Sequence, residues 1–175
     1  MIIISPEQFK EAFLSVVVNN EARLVELWRD NRYTDFMLRT LLPEVANQLK
    51  LKVYPRDYCL IDSIFYEEEN ARDFPDSIKA NYIAIAFEHE HKIKGTEVEI
   101  HRLQIYSTPL KVLVSYPNKN DPAAILAQYS RIIKWADIFS DFSTLRKQLV
   151  IFGSLNKNRI KWDFYVYKDG GFLKI

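Results

Sequence analysis

Three carboxylates stand at the ends of two segments that read as strands. Asp62 lies in the apolar run 58–66, and Glu88 and Glu90 close the run 82–90. Because side chains alternate along a strand, Glu88 and Glu90 share one face. An ionised carboxylate among apolar neighbours is costly unless something pairs with it, and crowded carboxylates repel one another. A divalent cation relieves both problems, so the pattern predicts an oxygen-ligated Mg²⁺ or Mn²⁺ site.

The residues around these acids leave other interpretations open. His89 and His91 alternate with the glutamates and point to the opposite face, so the run 88–91 alone makes a geometrically poor metal site. Both histidines are interpreted as packing or surface residues. Asp62 alone is also compatible with a hydrogen-bonded aspartate at a strand end. Three cations could pair with the glutamates on a solvated face: Lys92, Lys94 and Arg102.

The N-terminal part predicts helices. Ser5 and Gln8 flank Pro6 in the pattern of a capping box, which begins a first helix. A second short helix is predicted around residues 24–28. A third begins near Thr34 and carries an apolar stripe to residue 49, and Pro43 should kink or split it.

From residue 51 the pattern changes to strands. The segments 51–54, 58–66 and 82–90 are rich in β-branched and aromatic residues, and the apolar run 83–87 is typical of a central strand covered on both faces. The polar stretch 67–79 between them is interpreted as a loop.

A strand–helix–strand unit follows. Thr96 with Glu99 matches a capping box that opens a helix to about residue 107, and residues 111–116 read as a buried strand. This arrangement predicts a parallel pair with a right-handed crossover. A long amphipathic helix after Asp121 and a hairpin from 148–155 and 160–167 complete the chain. The hairpin is rich in aromatic residues, which could stack on single-stranded bases, although sheet packing or a homodimer interface is the commoner use.

Composition restricts the function classes. The 175 residues fit one domain, residues 1–175, and the net charge of +1 does not indicate nucleic acid binding. The lone cysteine, Cys59, predicts a buried thiol in a reducing, cytoplasmic compartment, and neither a signal peptide nor a membrane span is evident. Gly-rich phosphate loops, Gly-x-Ser-x-Gly elbows and Cys-x-x-Cys pairs are missing from the sequence, which disfavours nucleotide-dependent, serine-hydrolase and zinc-ribbon proteins.

The order of elements over residues 36–117 resembles the PD-(D/E)XK nuclease superfamily, in its Glu-x-Glu variant. The resemblance rests on a helix, a strand, the Asp62 strand, the Glu88-x-Glu90 strand, a helix and a strand. It implies an α/β, restriction endonuclease-like fold, with a mixed central sheet flanked by helices. The C-terminal helix and β-hairpin would be an extension of that core.

The resemblance also implies roles for residues. Asp62 and Glu88 would hold the metal, with the backbone carbonyl of His89 as a further ligand. Glu90 occupies the position where the family usually has a lysine that helps activate water, and Lys92 or Lys94 would supply a displaced positive charge. Two more positions match the family: Glu44 its extra helical carboxylate, and Gln104 the glutamine of RecB-like members.

The function implied is Mg²⁺-dependent (or Mn²⁺-dependent) hydrolysis of phosphodiesters in nucleic acid, most simply DNA. Asp62 and Glu88 would bind the ion, and Glu90 would bind metal or orient the attacking water. The alternative is a nuclease-like fold without catalysis that serves as a binding or assembly module. The absence of the family lysine at Glu90 and the near-neutral net charge both favour that alternative.

Overall fold

The protein has a mixed α/β fold in which helices flank a seven-stranded mixed sheet. The computed structural model describes residues 2–28, 30–74, 77–117, 121–137 and 147–175. The order of strands in the sheet is β1-β2-β5-β6-β7-β8-β9, and β3 pairs with β4 in a separate hairpin. The strand bounds are β1 Lys52–Tyr54, β2 Ser63–Tyr66, β3 Ala71–Phe74, β4 Ser77–Ala80, β5 Ile83–Glu90, β6 Leu110–Ser115, β7 Lys147–Asn156, β8 Arg159–Lys168 and β9 Gly171–Lys174.

The centre of the sheet is parallel and its edges are antiparallel. Strand β5 pairs in parallel with β6, and β6 with β7, whereas the other neighbouring strands pair antiparallel. The predicted parallel pair across the strand–helix–strand unit is therefore confirmed. Strand β6 is buried along its whole length, as expected for a strand with helices on both faces.

The N-terminal helices are α1 Pro6–Asn19, α2 Glu21–Leu27, α3 Arg32–Phe36 and α4 Leu42–Gln48. The predicted capping box is confirmed, because the Ser5 side chain accepts the backbone N–H of Gln8, whose side chain accepts the N–H of Ser5. Between α3 and α4 the chain widens into a π-helical turn, Met37–Leu41. Pro43 explains this turn, since proline has no N–H to donate and its ring crowds the preceding turn.

Each face of the sheet has its own hydrophobic core. Phe65, Phe87 and Val112 point toward α1 to α4, and the alternate residues Ile64 and Ala86 point toward the two later helices, α5 (Thr96–Ile105) and α6 (Pro122–Asp137). The alternation over Ile64–Phe65 in β2 and Ile85–Phe87 in β5 follows from the two-residue period of a strand. It assigns Asp62 and Glu88 to the face covered by α5.

The C-terminal hairpin is confirmed, and its aromatic residues pack within the fold. Trp162 contacts Phe13 edge to face at 5.1 Å between ring centroids, and Phe164 is buried in the same core. On the other face Tyr165 packs against Phe152 at 5.6 Å. Strand β9 follows the hairpin and was not predicted. No helix in the described part of the chain is long and apolar enough to cross a membrane.

Four local predictions are wrong. The segment 58–66 is not one strand, because residues 58–61 form a hairpin turn and β2 begins only at Ser63. The stretch 67–79 is not a simple loop, because it includes a short 3₁₀ turn, Glu68–Asn70, and both strands of the β3–β4 hairpin. Thr96 is not a helix cap: Gly95 takes that position with a φ of 119°, a conformation that suits glycine. Cys59 is exposed rather than buried, since it lies at the tip of a turn.

Candidate active site

The turn before β2 sets the position of Asp62. Tyr58 and Ile61 exchange backbone hydrogen bonds of 2.8 and 3.1 Å, so Cys59 and Leu60 form a two-residue hairpin loop. Their φ angles are 47° and 81°, the left-handed pair that a type I′ turn requires. Tyr106, at the end of α5, donates its hydroxyl to the carbonyls of Tyr58 and Cys59. The turn is therefore fastened to α5 at two carbonyls that lie four and three residues before Asp62.

Asp62 and Glu88 face each other across β2 and β5. The register pairs Ser63 with Phe87, and one residue further along it brings Asp62 opposite Glu88. The backbone N–H of Asp62 donates to Oε2 of Glu88 at 3.3 Å, and the N–H of His89 donates to Oδ2 of Asp62 at 2.8 Å. Each carboxylate thus accepts a hydrogen bond from the strand that carries the other one. The structure brings together these two predicted residues.

Glu88 is the more deeply buried acid of the pair. It is only 1% exposed, and no N–H or O–H donor satisfies its Oε1, although the carboxyl groups of Asp62 and Glu99 lie close enough to share a proton with it. Burial, followed by the negative charges of Asp62 and Glu99, raises the pKa of Glu88 far above its usual range. Burial also raises the pKa of Asp62, although the hydrogen bond from the His89 amide opposes that shift. A buried carboxylate oxygen without a donor is unfavourable unless a proton or a cation satisfies it.

A third acid, Glu99, joins the pair from α5. Its charge raises the pKa of both Glu88 and Asp62, and its side chain is only 12% exposed. Arg102, one turn further along α5, contacts both Glu99 oxygens through Nη1 at 3.1 and 2.9 Å. This role of Glu99 was not predicted, because the sequence pattern was interpreted as half of a capping box. A usable signal was present, since Glu99 lies four residues before the buried Leu103 and so faces the sheet.

Four other predicted site residues make their contacts away from Asp62 and Glu88. Oε1 of Glu90 accepts the backbone N–H of Lys92 at 2.8 Å, so this carboxylate is engaged with the loop after β5. Lys92 and Lys94 are exposed in that loop. Glu44 lies in α4, on the opposite side of the sheet, where it accepts a hydrogen bond of 3.2 Å from Asn20.

Gln104 takes part in a separate buried network. Its side-chain oxygen accepts Nζ of Lys111 at 3.0 Å, and its Nε2 donates to Gln148 at 3.1 Å and to the carbonyl of Ile100 at 3.1 Å. Gln148 in turn donates to the backbone carbonyl of Lys111 at 3.2 Å. Lys111 and Gln148 are nearly fully buried. Gln104 therefore faces inward, as predicted, but its hydrogen bonds go to β6 and β7 rather than to the acids.

The histidines lie on the opposite face of β5, as the strand period predicts. His89 is buried, and its Nε2 lies 2.9 Å from the hydroxyl of Tyr116, which also donates to Tyr33 at 3.2 Å. Burial, with a smaller contribution from His91, lowers the pKa of His89 to about 3. A neutral, packed ring at His89 holds the adjacent backbone N–H in place for Asp62.

The acid pair suits a hard divalent cation. Asp62 and Glu88 offer carboxylate oxygens, one of them buried without an N–H or O–H donor, and Mg²⁺ characteristically binds one or two carboxylates and keeps its waters. Among the described residues, no group of three or more His, Cys, Asp or Glu is arranged to hold a metal ion. Glu99 is already paired with Arg102. The site would therefore depend on two protein carboxylates and water.

Comparison of the sequence with models of protein families and with curated proteins yields no match.

Proposed function

We propose that this protein is a divalent-metal-dependent phosphodiesterase that acts on nucleic acid, built on a restriction endonuclease-like fold. The observation that carries the proposal is the buried pair of facing carboxyl groups of Asp62 and Glu88, in which no N–H or O–H donor satisfies Oε1 of Glu88. The charges of Asp62 and Glu88 repel each other and their burial is unfavourable, so the pair needs a proton or a cation to be stable in the core.

The order and pairing of strands support the nuclease-like fold. Helix α4 precedes β1 and β2, then β5, α5 and β6 follow, and β1, β2 and β5 are antiparallel while β5 and β6 are parallel. Glu88 lies on β5 and Asp62 directly precedes the neighbouring strand β2, both on the face covered by α5. The similarity in order was the basis of the sequence resemblance, and the pairing of strands adds independent support.

Asp62 and Glu88 would hold the ion, which, when bound, polarises a phosphate oxygen and lowers the pKa of a coordinated water. The protein's own contribution is to fix the two acids. The His89 N–H orients Asp62, and the Asp62 N–H orients Glu88, with hydrogen bonds of 2.8 and 3.3 Å. Burial of Glu88 excludes bulk water, which strengthens electrostatic interactions at the site.

A Mn²⁺ titration followed by electron paramagnetic resonance tests the proposal. We expect one weak site in the wild type and its loss in Asp62→Asn and Glu88→Gln. Glu97→Gln is the matched control, because Glu97 is an exposed acid on α5 two residues before Glu99. Cleavage of single-stranded, double-stranded and branched DNA and of RNA should require Mn²⁺ or Mg²⁺ and the same two acids. Unchanged Mn²⁺ binding in both variants would overturn the proposal. Action on cellular nucleic acid implies a cytoplasmic location, which stays a prediction.

The second candidate is a nuclease-like module without catalysis. It is favoured by the positions of Glu90, Lys92 and Lys94, since the position of the family lysine carries an acid bound to the following loop. For such a module we expect no cleavage of any of the four substrates with any divalent ion, even if Mn²⁺ binds to Asp62 and Glu88. Metal-dependent cleavage that Glu88→Gln abolishes would exclude it.

A further inference from the structure

Arg102 pairs with Glu99, the third acid of the site, in a geometry that leaves part of its guanidinium group outside the ion pair. Both contacts to Glu99 are made by Nη1, so the edge formed by Nε and Nη2 takes no part in them. The Arg102 side chain is 40% exposed, whereas the Glu99 side chain is 12% exposed. The cation therefore reaches from the enclosed acids toward solvent.

We propose that Arg102 binds the scissile phosphate of the substrate and takes the place of the cation expected near Glu90. This inference rests on the proposed function. A phosphodiester that approaches Asp62, Glu88 and Glu99 brings a further negative charge to an acidic site, and a fixed cation offsets that repulsion. Lys92 and Lys94 are exposed in a loop, whereas Arg102 is held on a helix by Glu99.

Arginine suits this role chemically. Its guanidinium group stays protonated at all working pH values, and its planar edge matches two phosphate oxygens at once. Glu99 is then a positioning residue, since it holds Nη1 and directs the remaining edge. The pair explains why an acid and a base occur one helical turn apart at the border of a buried acidic cluster.

The reaction step balances without a redox partner. The oxygen of one water forms a bond to phosphorus, and the bond from phosphorus to the leaving oxygen breaks. The water gives up one proton to solvent, and the leaving oxygen takes one proton from solvent, so the products are an alcohol and a phosphate monoester. Arg102 transfers no proton and stabilises the charge on the two non-bridging oxygens in the transition state.

Three variants of Arg102 test the assignment with bis(p-nitrophenyl) phosphate as a minimal substrate. Arg102→Gln keeps a hydrogen-bond donor for Glu99 but removes the charge, and we expect a loss in kcat/KM of about 100-fold. Arg102→Lys should fall between that variant and the wild type. In Arg102→Ala, added guanidinium chloride should restore part of the activity. Arg39→Gln is the control, because Arg39 forms a similar ion pair of 2.7 Å with Asp35 on the other side of the sheet.

Binding measurements separate this inference from the proposed function. With Mn²⁺ present, inorganic phosphate should bind at least tenfold more weakly to Arg102→Gln than to the wild type, while Mn²⁺ affinity stays equal or increases. If the wild type is active and Arg102→Gln keeps full activity, the role of Arg102 is overturned and the proposed metal site is unaffected. Loss of Mn²⁺ affinity in Arg102→Gln would also overturn it, since Arg102 would then only shape the acids. Absence of Mn²⁺ binding in the wild type would overturn the proposed function itself.

Discussion

At the scale of single residues, the acid pair was predictable and its surroundings were not. The two-residue period of a strand predicted that Glu88 and Glu90 share one face, and the order of elements predicted that Asp62 joins them. The register brings Asp62 opposite Glu88, whereas Glu90 is bound to the loop after β5. The spacing of Glu99 and Leu103 indicated that Glu99 faces the sheet, but its closeness to the two acids could not be predicted, because it depends on how closely α5 packs on the sheet. The bend by which Glu90 accepts the Lys92 N–H leaves no recognisable sequence pattern.

Glu88 should make the metal-free protein less stable as pH rises. Its pKa is raised in the folded state, mainly by burial, so the folded protein keeps a proton that the unfolded chain releases above the ordinary value of about 4.3. The stability associated with that proton is lost as pH rises toward the folded pKa. One proton changes the free energy of unfolding by at most about 1.4 kcal/mol for each pH unit. Between pH 7 and 9, Glu88→Gln should therefore gain up to about 2.7 kcal/mol relative to the wild type.

Urea denaturation in EDTA at pH 7, 8 and 9 measures this difference. The pKa of His89 is lowered to about 3 in the folded protein, and its effect on stability is the same in Glu88→Gln and the wild type and so cancels in their difference. Glu97→Gln should follow the wild type, because it removes an exposed acid from the same helix. If the free energy of unfolding changes with pH in the same way for Glu88→Gln and the wild type, Glu88 ionises freely in the folded protein and the prediction is wrong.

At the scale of elements, the strongly apolar segments were predicted well and the irregular ones were not. Strand β5 and the C-terminal hairpin agree with the prediction to within a residue or two, since each is long and buried. The turn at Cys59 and Leu60 was missed because it has neither the glycine nor the asparagine that usually marks a type I′ turn. The β3–β4 hairpin was missed because its residues are polar and short strands leave a weak pattern.

The same turn predicts a stabilising substitution. Leu60 is 70% exposed with a φ of 81°, so it gains little from burial and adopts a conformation unfavourable for a residue with a Cβ atom. Leu60→Gly should raise the free energy of unfolding by about 1 kcal/mol. Leu60→Ala is the control, because it also removes the side chain but keeps the Cβ atom and the strain. Equal stability of the two variants in thermal denaturation would contradict the prediction.

Tyr106 should couple this turn to the acid pair. Its hydroxyl donates to the carbonyls of Tyr58 and Cys59, so Tyr106→Phe should lower the free energy of unfolding by about 1 kcal/mol. It should also weaken Mn²⁺ binding several-fold, because the turn positions Asp62. Tyr82→Phe is the control, since the Tyr82 hydroxyl is buried without a hydrogen-bond partner and its loss should be neutral or stabilising. Calorimetric titration with Mn²⁺ compares the two variants directly. Equal Mn²⁺ affinities would show that the turn does not position Asp62 for the ion.

At the scale of the whole molecule, the sheet separates two environments. One face carries the neutral aromatic and histidine cluster around Tyr116, and the other carries the acids under α5. Consecutive residues of β5 point into different environments. Glu88 faces the acids, and the next residue, His89, faces the aromatic cluster. The strand period alone predicts that packing of His89 on one face affects the position of Glu88 on the other. The sequence could not predict which helices cover each face, because helix packing across a sheet is a tertiary property.

This arrangement predicts that metal binding, proton release and global stability are linked. The unfolded chain does not hold Asp62 and Glu88 together, so Mn²⁺ at 100 times its dissociation constant should stabilise the folded protein by about 2.7 kcal/mol. For a chain of this size that corresponds to a rise in Tm of roughly 5 to 11 °C.

Because the proton on Glu88 must leave when the ion binds, the affinity for Mn²⁺ should increase by up to about tenfold for each pH unit between 6 and 8. Calorimetric titrations in two buffers of different ionisation enthalpy count the released proton, and Asp62→Asn should show neither the Tm shift nor the release. A Tm shift that is the same in Asp62→Asn would mean that the ion binds elsewhere, and binding without proton release would mean that Glu88 is already ionised before the ion arrives.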